Sequence, residues 1–225
     1  MNTYLDGEGG VFMEKSYTKI YTTGATVPLK IRPGHFATNH AHINYYIDVT
    51  TLKARTKEAE EVAQALVGMY LYDTVIDTIV CMEGTEVIGA FLAEELAKGG
   101  FLSTNAHKSI YVISPEFNNN SQIIFRDNLI PMIRDKHVMI LMASVTTGRT
   151  LNKAVESIQY YGGILQGASA IFSAMDSLDG VPIKSVFGKK DLPDYTYSDY
   201  RDCPLCKAEK KIDALVNTFG YSPMG

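Results

Sequence analysis

Residues 136–150 read KHVMILMASVTTGRT, and this stretch decides the fold class. It opens with a basic entrance and a continuous apolar run, which is typical of a strand covered on both faces of a parallel sheet. A threonine-rich loop follows the run, and residues 151–161 then have helical character up to a Gly162-Gly163 stop. The stretch therefore predicts a buried strand, a loop and a helix in succession.

The same succession occurs earlier in the chain. Residues 74–81 are rich in β-branched residues and predict a strand, Glu83, Gly84 and Thr85 form a turn, and a helix continues to Ala97. The remaining predicted elements are a helix at 54–71, strands at 110–113 and 164–173, and a C-terminal helix at 207–218. Repeated strand–loop–helix passes predict an α/β fold with a mainly parallel sheet, helices on both faces and ligands at the carboxyl ends of the strands.

Size and composition narrow the classes of function. A chain of 225 residues suits one domain with small additions. The net charge is −4 and no stretch is dense in Lys and Arg, so we expect no nucleic-acid partner, and any bound anion should be small. No apolar stretch approaches the roughly 20 residues that a bilayer span needs, so we expect no membrane partner. Residues 1–10 lack the basic and apolar regions of a secretion signal, which indicates a cytoplasmic protein.

The loop between the buried strand and its helix is the candidate phosphate-binding site. The first N–H groups of a helix have no intrahelical partner, and the helix dipole attracts an anion to them. Threonine hydroxyls donate to phosphate oxygens, a glycine lets the backbone approach closely, and an arginine adds a charge-assisted contact. Read alone, the same residues also suit a plain capped helix start. The candidate phosphate-binding residues are Thr146, Thr147, Gly148, Arg149 and Thr150.

This strand and loop together resemble the phosphoribosyl pyrophosphate (PRPP) motif of type I phosphoribosyltransferases, whose threonine loop holds the ribose 5-phosphate. Within that family, residues 34–48 are similar to the N-terminal segment of orotate phosphoribosyltransferases, and residues 80–93 to their pyrophosphate-binding loop and following helix. The resemblance implies that Glu83, Gly84 and Thr85 occupy the pyrophosphate-loop position, and that the protein is a homodimer. It also implies a small N-terminal hood at 1–50, a phosphoribosyltransferase-like α/β core at 51–190 and a C-terminal extension at 191–225.

The chain departs from the family pattern at positions that matter for catalysis. Two adjacent acidic residues of the family help to hold the ribose hydroxyls and Mg²⁺, and the corresponding positions here are Met142 and Ala143. Neither side chain offers the hard oxygen ligand that this cation needs. The family's mobile catalytic loop carries basic residues, whereas residues 114–120 contain none. The resemblance thus implies Mg²⁺ as a cofactor, and the residues present argue against it.

The cysteines raise a separate question about metal binding. Cys81 ends an apolar run and is predicted to be a buried core residue. Cys203 and Cys206 form a Cys-Pro-Leu-Cys pair, which is half of a zinc knuckle. To bind Zn²⁺ the pair needs further ligands, either from a partner subunit or from a histidine; otherwise it is a reduced loop.

Three functions are compatible with these residues. The first is an orotate-type phosphoribosyltransferase, to which His40, His42 or His107 would have to supply a proton or a positive charge. The second is a non-catalytic relative that binds a nucleotide or a phosphorylated sugar, as a sensor or as part of an assembly. The third is a structural subunit whose loop has no ligand of importance. The first two predict a small phosphoribosyl or nucleotide ligand.

Overall fold

The computed structural model describes residues 17–98, 103–106, 109–120 and 122–224. The strands in chain order are β1 (Thr18–Ile20), β2 (Leu29–Ala37), β3 (His42–Asp48), β4 (Thr78–Cys81), β5 (Tyr111–Ile113), β6 (Glu116–Phe117), β7 (Ile123–Ile124), β8 (His137–Val145), β9 (Ile164–Ser173), β10 (Ser177–Leu178), β11 (Val181–Gly188), β12 (Tyr197–Ser198), β13 (Ala214–Asn217) and β14 (Gly220–Pro223). The helices are α1 (Thr50–Ala54), α2 (Thr56–Val67), α3 (Glu86–Lys98), α4 (Arg149–Tyr160) and α5 (Pro204–Lys207), with a 3₁₀ turn at Ile130–Met132. Among these described helices, none is both long and apolar enough to cross a lipid bilayer.

The core of the molecule is a mainly parallel sheet in the order β10-β11-β9-β8-β4-β5. Only the edge pair β10–β11 is antiparallel. In the central strand β8, Val138, Ile140 and Met142 pack on the face that α4 covers. Met139 and Leu141 pack on the opposite face, together with residues of α2 and α3. Both faces of β8 are buried, which explains its continuous apolar run and confirms the predicted α/β class.

Two predicted elements on the N-terminal side of the core differ in their bounds. The predicted strand at 74–81 begins only at Thr78, because the backbone before it pairs with a buried side chain. Asn105 Oδ1 accepts from the Ile76 N–H at 2.8 Å, and Asn105 Nδ2 donates to the Thr74 carbonyl at 2.8 Å. The predicted helix at 54–71 is α2 (Thr56–Val67), which begins only after Arg55 because that residue is extended, with φ −101° and ψ 118°; the short α1 before it was not predicted.

Strands that precede the core in the chain (β1, β2 and β3) and strands that follow it (β12, β13 and β14) together form a second sheet, which we call the hood sheet. Its order is β12-β3-β2-β13-β14, and β1 pairs with β2. β2 and β3 are antiparallel, whereas β13 joins β2 in parallel. The described part of the predicted N-terminal hood therefore shares a sheet with the predicted C-terminal extension; residues 1–16 lie outside the described residues.

The predicted C-terminal helix at 207–218 is wrong. Helix α5 is four residues long and ends at Lys207, and Glu209 has a left-handed φ of 54°. β13 and β14 then form an antiparallel hairpin. Along β13 the buried Ala214 is followed by the exposed Leu215, which is the two-residue alternation of a strand. Pairing with β2 supplies the backbone hydrogen bonds, so tertiary contacts override the local helical pattern.

Candidate functional site

The predicted phosphate loop joins β8 to α4 at the carboxyl end of the parallel sheet. Gly148 is the N-cap of α4 and has left-handed backbone angles, φ 75° and ψ −4°. A Cβ atom added here would lie 2.8 Å from Leu178 Cδ2, so both conformation and space favour glycine. Within the described chain no side chain caps α4, and the N–H groups of its first turn are open to a ligand or solvent.

The three threonines of the loop line a cleft in front of α4, and one of them also holds the loop in place. Thr146 Oγ1 shares a hydrogen bond of 3.0 Å with the hydroxyl of Tyr195. Tyr195 is buried, and burial raises its pKa to about 12, so the phenol is neutral at physiological pH. The loop is thereby fastened to the C-terminal segment, which sequence reasoning had assigned to a separate extension.

The cleft has a volume of about 220 Å³ and lies between the core and the hood sheet. The phosphate loop and the end of β8 line one side; the β2–β3 turn, α1 and the β13–β14 hairpin line the others. His40 is in the β2–β3 turn. Its pKa is lowered by burial, and the positive charges of Arg149 and Lys153 lower it further. Positive charge concentrated at this end of the cleft favours an anionic ligand.

Glu83 lies beside the position of the missing acidic pair. Its φ is 60°, which is uncommon for a residue with a side chain. Glu83 Oε2 accepts hydrogen bonds from the N–H groups of Ala143 at 3.2 Å and Ser144 at 3.4 Å. Burial raises the pKa of Glu83, and these N–H groups and Lys53 oppose that rise. The contact follows from the register of the sheet, because β4 and β8 run parallel and end at the same edge.

The other two residues of the predicted pyrophosphate loop shape the backbone. Gly84 has a left-handed φ of 80° directly after Glu83. The hydroxyl of Thr85 is buried, 2.9 Å from the Met82 carbonyl oxygen and 3.0 Å from that of Leu141. Thr85 therefore fastens the loop to β8 at Leu141, and Glu83 is the residue of this loop that lines the cleft.

Lys53 is a cleft residue that sequence reasoning missed. Its Nζ donates to the Glu83 carbonyl oxygen at 2.7 Å and to the Thr218 carbonyl oxygen at 3.1 Å. Burial lowers the pKa of Lys53, and nearby carboxylates, of which Glu83 is the strongest, oppose this. Lys53 thus joins the pyrophosphate-loop position to the β13–β14 hairpin. Its partners lie 30 and 165 positions away in the chain, so no local motif marks it.

The segment at the catalytic-loop position forms the antiparallel hairpin β6–β7. Arg126, the first basic residue after β5, pairs with Glu116, with its Nε 2.9 Å from Glu116 Oε2. Where the structure describes this hairpin, its residues do not line the cleft. Met142 and Ala143 are buried at the end of β8. The described geometry therefore supplies neither a basic loop nor an acidic pair at the positions where the family has them.

Cys203 and Cys206 lie together with His35 and His42, and we call these four residues the Cys–His cluster. One ligand atom from each lies within 4.8 Å of the other three. His35 Nε2 is 3.0 Å from His42 Nδ1, 3.5 Å from Cys203 Sγ and 3.7 Å from Cys206 Sγ. Cys206 Sγ is 3.2 Å from His42 Nδ1. Both histidines belong to the same chain as the cysteine pair, which is one of the two arrangements that the sequence left open.

The remaining candidate residues from the sequence are three histidines and Cys81. Among the proposed catalytic histidines, His40 lines the cleft, His42 belongs to the Cys–His cluster, and His107 lies outside the described residues. Cys81 is buried in the core, as predicted.

No protein-family model matches the sequence, and no curated protein matches it. Among solved structures, a phosphoribosyltransferase from Corynebacterium diphtheriae is similar with a TM-score of 0.52 at 14% identity, over 72% of this chain and 90% of that chain. The UMP synthase of Leishmania donovani is similar with a TM-score of 0.52 at 18% identity, over 72% of this chain and 34% of that chain. Orotate phosphoribosyltransferase from Mycobacterium tuberculosis, in complex with inorganic phosphate, has a TM-score of 0.46 at 15% identity, over 66% of this chain and 80% of that chain.

The chain therefore has the type I phosphoribosyltransferase fold, as the sequence resemblance implied. At such low identities the likeness is one of fold, and the activity has to be argued from the site.

Proposed function

We propose that the protein binds a small ligand with a 5′-phosphoribosyl group, either PRPP or a nucleotide. Its 5′-phosphate would lie against the backbone of residues 146–150. The observation that carries this proposal is the start of α4, where N–H groups without a side-chain cap open into the cleft and Gly148 permits close approach. Backbone donors and the helix dipole stabilise an anion at such a place. The shared fold supports a phosphoribosyl ligand over other phosphates.

The charges around the cleft agree with a ligand that carries phosphate. The basic residues Arg149 and Lys53 line it, and Glu83 is the acidic residue among its lining residues; His40, whose pKa is lowered, also lines it but is uncharged near neutral pH. Lys53 is held by carbonyl oxygens rather than by a carboxylate oxygen, so its charge is not neutralised by a direct ion pair at those contacts. A ribose would lie between the phosphate loop and Glu83, whose carboxylate can accept from sugar hydroxyls.

The residues at the family's Mg²⁺ position do not fit that cation. Met142 and Ala143 carry no oxygen ligand, and the nearby Glu83 has one carboxylate oxygen engaged by two backbone N–H groups. We therefore infer that ligand binding does not depend on Mg²⁺. Transfer chemistry of the orotate type, which needs a stabilised pyrophosphate leaving group, should be weak or absent.

A non-catalytic relative that binds a nucleotide or a phosphorylated sugar is therefore favoured over an active orotate-type phosphoribosyltransferase. A non-catalytic sensor, or a ligand-binding member of an assembly, needs the phosphate loop but neither the acidic pair nor a basic catalytic loop. The buried Met142 and Ala143 and the pairing of Arg126 with Glu116 agree with that role. The orotate-type transferase, with pyrimidine biosynthesis as its context, is the alternative, and it requires Glu83 to take over from the acidic pair.

Calorimetric titration with ribose 5-phosphate and with ribose tests the binding proposal directly. The two ligands differ only in the phosphate, so ribose 5-phosphate should bind and ribose should not. PRPP and uridine monophosphate, each with and without Mg²⁺, then show whether the cation contributes. Equal binding of ribose and ribose 5-phosphate, or no binding of any phosphorylated ligand, would contradict the proposal.

We also propose that the protein is a cytoplasmic homodimer, the dimer on the ground of the family resemblance. Tyr197 and Tyr200 are exposed near α5 and suit an aromatic contact surface. Tyr195, which the sequence grouped with them, is buried within the chain and bonded to Thr146, so it cannot contribute to such a surface. Light scattering during gel filtration should give twice the mass of the chain, and the mass of a single chain would contradict the dimer.

A further inference from the structure

The Cys–His cluster lies where the C-terminal segment meets the hood sheet, apart from the cleft. His35 is in β2, His42 begins β3, and the two cysteines flank the first turn of α5. None of the four lines the phosphate cleft. We propose that this cluster binds one Zn²⁺ ion through His35 Nε2, His42 Nδ1, Cys203 Sγ and Cys206 Sγ. Two thiolates and two imidazoles form the donor set that structural zinc sites use.

The distances among these atoms match the edges of a zinc tetrahedron. With Zn–S bonds of about 2.3 Å and Zn–N bonds of about 2.05 Å, a tetrahedral site has S···N edges of about 3.6 Å and an N···N edge of about 3.3 Å. Three of the four S···N distances are 3.2, 3.5 and 3.7 Å, the N···N distance is 3.0 Å, and all four atoms lie within 4.8 Å of one another. Four ligands at these separations surround a space of the right size for one ion.

The orientation of His35 is already set for metal binding. Its Nδ1 lies 2.8 Å from the carbonyl oxygen of Lys210, and such a contact requires the proton to be on Nδ1. The lone pair of Nε2 then points into the cluster, which is the tautomer that a zinc-bound histidine needs. The backbone of His35 is fixed as well, because its N–H donates to Asp213 Oδ2 and its carbonyl accepts from the Asp213 N–H, both at 2.7 Å.

The local structure of the Cys-Pro-Leu-Cys segment brings both sulfur atoms to one side. Cys203 is the N-cap of α5 and Pro204 is its first residue, so one helical turn separates the two cysteines. Both sulfur atoms lie near the same ring nitrogen, since His35 Nε2 is 3.5 Å from Cys203 Sγ and 3.7 Å from Cys206 Sγ. The turn therefore presents both cysteines to the histidines of β2 and β3.

The role of the ion would be structural rather than catalytic. Four protein ligands close a tetrahedral site and leave no position for water or substrate. The ion would join residues that are far apart in sequence, since Cys203 and His35 are 168 positions apart. It would thereby hold the C-terminal segment against β2 and β3 in addition to the short parallel pairing of β13 with β2.

Elemental analysis of protein purified without chelators tests this inference without any phosphate ligand, so its outcome is independent of the proposed function. We expect close to one zinc per chain. Cys206→Ser and His42→Ala should lose most of it, whereas His42→Cys, which restores a fourth ligand, should retain it. Cys81→Ala is the matched control, because Cys81 is a buried cysteine of the core outside the cluster, and it should keep the wild-type zinc content.

Cobalt replacement gives a second measurement that needs no variant. Wild-type protein stripped of metal and loaded with Co²⁺ should show the strong visible bands of tetrahedral cobalt with thiolate ligands. Well under half an equivalent of zinc after purification and zinc loading, or an unaltered zinc content in Cys206→Ser, would overturn the proposal. So would a disulfide between Cys203 and Cys206 in protein kept under reducing conditions, since a disulfide removes both thiolates.

Discussion

Replacement of Gly148 by valine tests whether the start of α4 holds the phosphate. The native φ of 75° is left-handed, and this conformation costs a residue with a side chain roughly 1–2 kcal/mol. The added Cβ would also lie 2.8 Å from Leu178 Cδ2, so the end of that leucine has to shift, and relief of the backbone strain requires the loop itself to move. Movement of the loop turns the N–H groups at the start of α4 away from the bound anion. The variant should therefore fold with reduced stability and bind phosphate poorly.

The expected loss of affinity follows from the donors that move. A hydrogen bond to a charged group contributes about 1.5–3 kcal/mol, so losing two of them should raise the Kd for ribose 5-phosphate at least about a hundredfold. The melting temperature should fall by only roughly 2–8 °C, because strain of this size has a modest effect on a chain this long.

Calorimetry on Gly148→Val and on a matched control separates the two effects. Gly24→Ala introduces a side chain at another left-handed glycine, φ 91°, where the added Cβ meets nothing within 4 Å. It should lose stability to a similar extent and keep the wild-type Kd. A folded Gly148→Val protein with unchanged affinity would refute the phosphate site.

Transferase assays with orotate, uracil, adenine and hypoxanthine, each with PRPP and Mg²⁺, should show little or no turnover; a rate of about one per second would contradict the non-catalytic role and mean that other residues, such as Glu83 or a histidine, have replaced the acidic pair. Burial raises the pKa of Glu83 above its ordinary 4.5, so its contribution to stability is present below that pH and is lost as pH rises through the raised pKa. Glu83→Gln should remove this part of the pH dependence of the free energy of unfolding, measured by urea titration, and an unchanged profile would contradict it. Thr146→Val and Tyr195→Phe should each destabilise the fold, and a double-mutant cycle should show coupling of about 1 kcal/mol; additivity would mean that their hydrogen bond contributes nothing.

The elements that the sequence predicted best are those buried on both faces. β9 has the predicted bounds, and β8 begins within one residue of the prediction, because apolar pattern and burial agree there. The position of the loop between β8 and α4 also follows from a local pattern, a threonine-rich turn after a buried strand. Gly148 has a left-handed conformation at the start of α4 that glycine adopts readily, and the binding of phosphate by this loop stays a prediction.

The features that the sequence did not reveal depend on contacts between distant parts of the chain. β13 resembles a helix in isolation and becomes a strand because β2 offers an edge to pair with. His35 completes the Cys–His cluster from a position 168 residues before Cys203, and no spacing rule connects them. Glu83 reaches Ala143 only because β4 and β8 are neighbours in register. Each of these contacts requires the sheet order, which sequence patterns do not specify.

The C-terminal segment connects the two proposed sites. It supplies Tyr195 to the phosphate loop and Thr218 to Lys53, and the cysteines of the cluster lie between these two contacts in the chain. Zinc bound at the cluster would fix this segment on the hood sheet and so position both walls of the cleft without touching the ligand. Removal of zinc should therefore weaken phosphate binding, and by thermodynamic linkage the phosphate should strengthen zinc binding by the same factor. Calorimetry should show this as a higher Kd for ribose 5-phosphate in the zinc-stripped protein, and equal Kd values with and without zinc would refute the coupling.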